Sequence, residues 1–344
     1  MRHIHHPVTI KEVAKEAGVS IATVSRVLNQ HTSVTTETKD SVLKVMKDLG
    51  YNRNEVARSL KMRHTNTIGI VAPKLSNVYF MEVIESMDQL LTPLGYTMVI
   101  SCSYDSVKEE QKKIQVLLDR NVDALVVIPA GFQGHHFNTR SISRVPMIMV
   151  DRYIEGVKAD AVLVDNRLGV QQMVRALHKE GFTRIGYIGG DNDILTANER
   201  YAGYLQTMRD LELPIEQEFI YLHGTMTIKD GHLAMERFLQ IPDHPKAYLI
   251  ANDLLHLGVT SHLIEHVSPE KQHEYVLASF DYLSYSSLLS FCHYAMRQPQ
   301  EIIGSEVVRL LQKRMAGDSK DTSFERVVVT PELKIISANG GLPQ

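Results

Sequence analysis

From Thr67 onward the chain alternates short apolar runs with longer amphipathic stretches, and this alternation restricts its fold more than any single motif. "TIGIVAP", "YTMVIS", "VDALVVIPA" and "PMIMVD" are near-continuous apolar runs of strand length, separated by residues 78–94 and 107–120, whose apolar positions recur at helical spacing. Runs apolar at nearly every position predict strands covered on both faces; strand and helix in turn predict parallel sheets with helices on each side. The series resumes with "RIGYIGG", "AYLIAND" and "YVLASFD". About 275 residues is large for one such domain, so two lobes are expected. "GYIGGDND" lacks the spacing of a dinucleotide or phosphate loop.

The first 64 residues follow a different pattern. They hold 11 Lys and Arg against 6 Asp and Glu, a net of +5, whereas the remaining 280 carry a net of −8. A basic head on an acidic body predicts a head that meets a polyanion. Thr9 with Glu12 forms a capping-box pattern before Ile10, Val13, Ala14 and Ala17, and Gly18 ends that run. Ser20 then caps a second short helix with Val24, Val27 and Leu28 inward, leaving Ala22, Ser25, Arg26 and Asn29 outward. Thr35 or Thr36 opens a third helix, with Val42, Val45, Met46 and Leu49 inward and Gly50 at its end. Spacing alone fits any small helical bundle, but two short helices around a glycine-containing turn read as helix-turn-helix. No acidic residue lies between Ala17 and Glu37, which suits approach to phosphates, and Arg to guanine is the commonest base-specific contact.

"VTIKEVAKEAGVSIATVSRVLN" followed by "LGYNRNEVARSL" resembles the DNA-binding head and hinge of the LacI family of bacterial transcription regulators. The resemblance implies that the helix from Ile21 to Asn29 enters the major groove, with Ile21, Ala22 and Arg26 at base-reading positions and Ser20, Thr23, Ser25 and Asn29 serving phosphates or caps. It also implies a hinge containing Asn54, Ala57 and Leu60, preceded by Tyr51, which folds when two subunits share DNA; Leu60 would wedge into the minor groove. Arg53 stands where the family commonly has proline. In the body, "SNVYF", "VDR", "VDNRLGV", "ANERYAGY", "ANDLLHLG", "SFD" and "MRQP" resemble family landmarks in order. They imply a type I periplasmic-binding-protein fold with two doubly wound parallel-sheet lobes. The expected division is a helix-turn-helix domain over 1–53 and a hinge and linker over 54–66. The first lobe would span 67–163 with 294–324, and the second 164–293 with 325–340. The crossovers would fall near 161–165, 290–297 and 320–327.

Ligands of such sheets bind beyond the carboxyl ends of the strands. Those ends carry Pro73 and the loop to Phe80, then Asp151, Gly190, His223, Asn252 and Asp281. Carboxylates, amides and aromatic rings there suit a small polar ligand, although Asn252 and Asp281 could equally cap the next helix and Tyr79 could be core. By resemblance the pocket comprises Asn77, Tyr79, Phe80, Asp151, Arg200, Met226, Asn252 and Asp281, with Arg200 and Asp281 clamping the ligand. Met226 stands where several relatives have an aromatic residue, and Val78 where many have proline. The expected effector is a sugar, sugar acid, sugar phosphate or nucleoside.

Hydrophobic residues at 44% and charged residues at 22% suit a globular chain. No apolar run approaches the roughly 18 residues of a membrane span. "MRHIHHPVTIKEV" offers no apolar leader, and the two cysteines, Cys102 and Cys292, are far apart, so a reducing cytoplasm is expected. No cofactor or metal is expected: His3, His5 and His6 lie at a terminus and His135 and His136 are adjacent in a loop. Asp151 and Asp281 could be imagined as glycosidase carboxylates, but no nucleophile elbow or paired Cys/His metal motif accompanies them. The reading is a homodimeric, effector-controlled, DNA-binding repressor and not an enzyme; "SANGGLPQ" shows no heptad tail. The alternatives are a global carbon-control regulator with a phosphorylated carrier protein as coeffector, and a plain sugar-binding protein.

Overall fold

The computed structural model describes residues 8–28, 31, 33–51, 64–191, 194–283, 286–288, 291–316 and 323–336. Asn29 and the hinge residues Arg53, Asn54, Ala57 and Leu60 lie outside them. Residues 1–65 and 66–344 form two compact units.

The head unit contains α1 (Ile10–Glu16), α2 (Ile21–Leu28) and α3 (Thr36–Asp48). Thr9 and Glu12 close the capping box, and Gly18 takes φ +65°, a left-handed turn that ends the helical run without side-chain strain. Thr35 caps α3 by accepting from the Thr38 amide. Val13, Val24 and Val42 are fully buried. A valine so buried contributes roughly 1.5–3 kcal/mol, which lets helices of 7, 8 and 13 residues, too short to persist alone, hold one another. Leu49 departs from expectation. It sits at the α3 C-cap and is exposed, while Tyr51, beyond the Gly50 turn, packs on the core instead.

The body unit contains two six-stranded sheets. The first holds β1 (Thr67–Ala72), β2 (Thr97–Cys102), β3 (Ala124–Val127), β4 (Met147–Val150), β5 (Asp160–Val164) and, from far along the chain, β11 (Arg326–Val329). Its order is β11-β5-β4-β3-β1-β2, with every pair parallel. The second holds β6 (Ile185–Gly189), β7 (Ile220–Leu222), β8 (Ala247–Ile250), β9 (Val276–Phe280), β10 (Cys292–Arg297) and β12 (Glu332–Ile335), in the order β12-β10-β9-β8-β6-β7. Only β12 runs antiparallel to its neighbour. The predicted central strands β1, β3, β4, β6, β8 and β9 are buried almost throughout.

Helices α4 (Val78–Leu91), α5 (Val107–Asp119) and α11 (Gln300–Met315) cover the first sheet. The second lobe carries α6 (Asn166–Lys179), α7 (Leu195–Asp210), α8 (Ile228–Leu239), α9 (Asp253–His266) and α10 (Pro269–Gln272). Its α8 and α9 touch at two glycines. A Cβ on Gly231 would lie 2.1 Å from the Leu255 carbonyl oxygen, and one on Gly258 2.0 Å from that of Ile228.

Strand pairing moves two of the expected lobe boundaries. β10 pairs with β9 and β12, so residues 294–297 belong to the second lobe and the chain returns to the first lobe only after Arg297. β11 pairs with β5, so residues 326–329 belong to the first lobe, and the last crossing falls between Val329 and Glu332. Both strands are short, and neither announces its partner by composition.

Candidate functional site

In the head, α2 divides its residues by face. Val24 and Val27 point into the core, while Ile21 is 45% exposed and Ala22 and Arg26 are also exposed. The Ser20 hydroxyl accepts from the Thr23 amide at 3.0 Å and lies 2.9 Å from the Thr23 hydroxyl, so Ser20 caps the helix and Thr23 is tied to the cap. Ser25 is half-buried. The Arg26 guanidinium has no carboxylate partner among the described residues. Ile21, Ala22 and Arg26 therefore form the accessible surface of the helix, one cation flanked by apolar groups.

In the body, polar residues at the strand ends fall into two sets. The first set caps helices. Asn77 accepts from the Phe80 amide at 3.2 Å and starts α4; Asn252 accepts from Leu255 at 2.9 Å and starts α9. The Asn252 amide also donates to the Met226 carbonyl at 3.1 Å. Met226 takes φ +58°, and a Cβ on Gly190 would meet its side chain at 2.5 Å, so Gly190 leaves room for the methionine. Phe80 is core, and His223 packs edge-on against Tyr221.

The second set converges between the lobes. Arg200, from α7, donates from Nε to the Asn166 side chain at 2.8 Å and from Nη1 to the Ala251 carbonyl at 2.5 Å. Its guanidinium lies 3.9 Å from the centre of the Phe280 ring, next to Asp281. Asp281 accepts from the Gln298 amide, and Leu283, two residues on, is buried in the first lobe's core cluster. The loop carrying Asp281 is thus pinned across the lobe boundary. From the first lobe, Asp151 is bound by Arg152 Nε at 3.0 Å, and Arg152 also donates to the Pro129 carbonyl at 3.0 Å. Tyr79 is buried, and its hydroxyl has no hydrogen-bond partner among the described residues.

These groups act on one another electrostatically. The Tyr79 hydroxyl is held well above its ordinary pKa, first by burial and then by Asp151 and Asp281, against the opposing pull of Arg200 and Arg152. Asp281 is raised from 3.8 to about 7, first by burial; Arg200 opposes, Asp253 adds repulsion, the Gln298 hydrogen bond opposes, and Asp151 adds repulsion. A carboxyl whose folded pKa exceeds its unfolded value binds more protons in the native state, so its contribution is complete below pH about 4 and is lost as pH rises through about 7. Asp281→Asn should remove that dependence: between pH 5 and 8 the thermal midpoint of the unchanged protein should fall relative to the variant. Parallel midpoints across that range would show that Asp281 stays ionised.

Of the eight body residues expected in a pocket, Tyr79, Asp151, Arg200 and Asp281 come together. Asn77, Phe80, Met226 and Asn252 have the structural roles given above. Arg152, Asn166, Asp253 and Gln298 join the cluster without having been singled out. All four lie inside quoted landmarks, "VDR", "VDNRLGV", "ANDLLHLG" and "MRQP", and that adjacency was the available signal.

Residues 9–54 match the family described as bacterial regulatory proteins, lacI family, and residues 65–335 match periplasmic binding proteins and sugar binding domain of LacI family. The chain is 29% identical over 333 residues to the HTH-type transcriptional repressor PurR of Mannheimia succiniciproducens, covering 95% of this chain and 97% of that protein. It is 27% identical over 318 residues to catabolite control protein A of Priestia megaterium, covering 92% and 95%. A lac repressor dimer bound to operator and an anti-inducer superposes with TM-score 0.82 at 22% identity, covering 97% and 99%, a likeness of fold. With both family descriptions matched in order and the second spanning most of the chain, this protein belongs to the LacI family and is a DNA-binding regulator of transcription, not an enzyme.

Proposed function

We propose that the chain acts as a dimeric repressor on a pseudo-palindromic operator and that a small neutral polyol, a sugar or a nucleoside, bound between the lobes sets its DNA affinity. The observation that carries this reading is the convergence of Tyr79 and Asp151 from one lobe with Arg200 and Asp281 from the other. A ligand touching both pairs would favour one relative orientation of the lobes, which makes the lobe pair the two-state element that couples ligand to DNA. The charge balance supports a neutral ligand: Asp151 and Asp253 already match Arg152 and Arg200 in number, Asp281 with its pKa of about 7 adds part of a further negative charge at neutral pH, and both guanidiniums already donate to the chain. A phosphate or sugar acid would add negative charge where carboxylates are in excess. Calorimetry with neutral sugars, nucleosides, sugar acids and sugar phosphates tests this. Heat from the charged compounds alone would refute the neutral class.

In this reading Ile21 and Ala22 touch thymine methyls and Arg26 donates to a guanine edge, which their exposure on α2 supports. Arg26→Ala should weaken cognate operator binding by about 1–3 kcal/mol and relax discrimination at one base pair in each half-site, with non-specific binding little changed. An equal loss on cognate and random DNA would make Arg26 a phosphate contact.

A further inference from the structure

The first lobe has a cavity of about 800 Å³ at the end of its sheet away from the Arg200–Asp281 cluster. Met147, the first residue of β4, lines it, whereas Asp151 follows the last residue of that strand, about 13 Å away at the usual rise per residue. Phe137, Ile142 and Met147 are buried and supply apolar wall, joined by Val145 and Val157. Arg140, Arg144 and Lys158 stand exposed around them. Among the described residues no Asp or Glu lines the cavity, and none of these three cations has a carboxylate partner. In the same lobe Arg152, Arg309, Arg314 and Arg326 are ion-paired, whereas three unpaired cations here gather around one apolar wall. Arg314, which also lines the cavity, is fixed by two 2.6 Å bonds to the buried Asp160, so that wall is rigid.

We infer that this cavity is a second ligand site, taking a small organic anion whose phosphate or carboxylate meets Arg140, Arg144 and Lys158 while an apolar portion rests on Phe137, Val145 and Met147. Its volume lies within the few-hundred-to-thousand Å³ range of small-molecule sites, and its mixed lining of apolar wall and a few convergent charges is typical of them. An ion cloud on a solvated basic face would need no apolar wall. A neutral polyol in the interlobe cluster and an amphipathic anion here would give the regulator two chemically distinct inputs.

The test uses the full-length protein and three probes in calorimetry: phenyl phosphate, inorganic phosphate and benzyl alcohol. Phenyl phosphate should bind saturably and at least tenfold more tightly than either part alone. The double variant Arg140→Gln, Arg144→Gln should raise its Kd at least tenfold, while Arg200→Ala should leave it unchanged. Equal affinity for inorganic phosphate would reduce the site to surface charge. Loss of phenyl phosphate binding in Arg200→Ala protein that still gives a cooperative unfolding transition would move the anion to the interlobe cluster and overturn both this inference and the neutral-ligand reading; insensitivity to the double variant would overturn this inference alone. Residues 317–322 carry Asp318 and Asp321, and binding seen only after both are changed to asparagine would mean that the chain's own acids occupy the cavity, which also overturns it.

Discussion

Arg200→Ala should abolish any ligand-dependent change in operator affinity and lower the stability of the body by about 1–3 kcal/mol for each buried acceptor left without its donor. The stranded groups are identifiable. Asp281 would lose the cation that opposes the rise in its pKa, and the Ala251 carbonyl and Asn166 side chain would lose their donor. Arg200→Lys should keep part of the stability but not the ligand response, because an ammonium cannot donate along the two directions that the guanidinium fork now uses while covering the Phe280 ring. Urea unfolding and operator binding with and without ligand separate these effects. A full ligand response in Arg200→Ala would remove Arg200 from the proposed pocket.

Gly231→Ala should cost about 3 kcal/mol or more, although alanine is the better helix former. Propensity favours the change by about 1 kcal/mol. Against that, the new methyl would sit 2.1 Å from a backbone oxygen on the facing helix, and backbone cannot rotate away as a side chain can. Helices α8 and α9 would have to separate along the line where Gly258 makes the reciprocal approach. The measurement is the urea midpoint at unchanged m-value; a midpoint within error of the parent would mean that the two helices are less closely seated than described.

What the sequence disclosed follows from how strongly each element is buried. Central strands such as β3 and β8 are apolar at every position because both faces are covered, and they are readable without a relative to guide the eye. β11 lies at a sheet edge with half-exposed faces, so "RVVV" carries too weak a pattern to assign, and the boundary at 324/325 puts it in the wrong lobe; the boundary at 293/294 cuts β10, whose pairing with β9 and β12 nothing local reveals. The interlobe cluster was half legible. Asp151 and Asp281 stand at strand ends, where sheet geometry directs attention, but Asn77 and Asn252 stand at similar ends and cap helices. Nothing local distinguishes a capping amide from a ligand-facing one. Gln298 is pulled in by its partner across a 17-residue gap, a relation that only folding creates.

The three crossings between lobes also bear on how the chain is made. The first sheet has five of its six strands made by Val164, yet the outer edge of β5 waits for β11 at residues 326–329, and the face of α4 waits for α11. At about 5–20 residues per second on the ribosome, that interval lasts roughly ten to thirty seconds. Throughout it, the emerging first lobe displays an unpaired strand edge and an uncovered apolar helix face. Both are features that neighbouring chains can engage. A nascent molecule of this kind is open to such pairing during synthesis for a reason unrelated to its final stability.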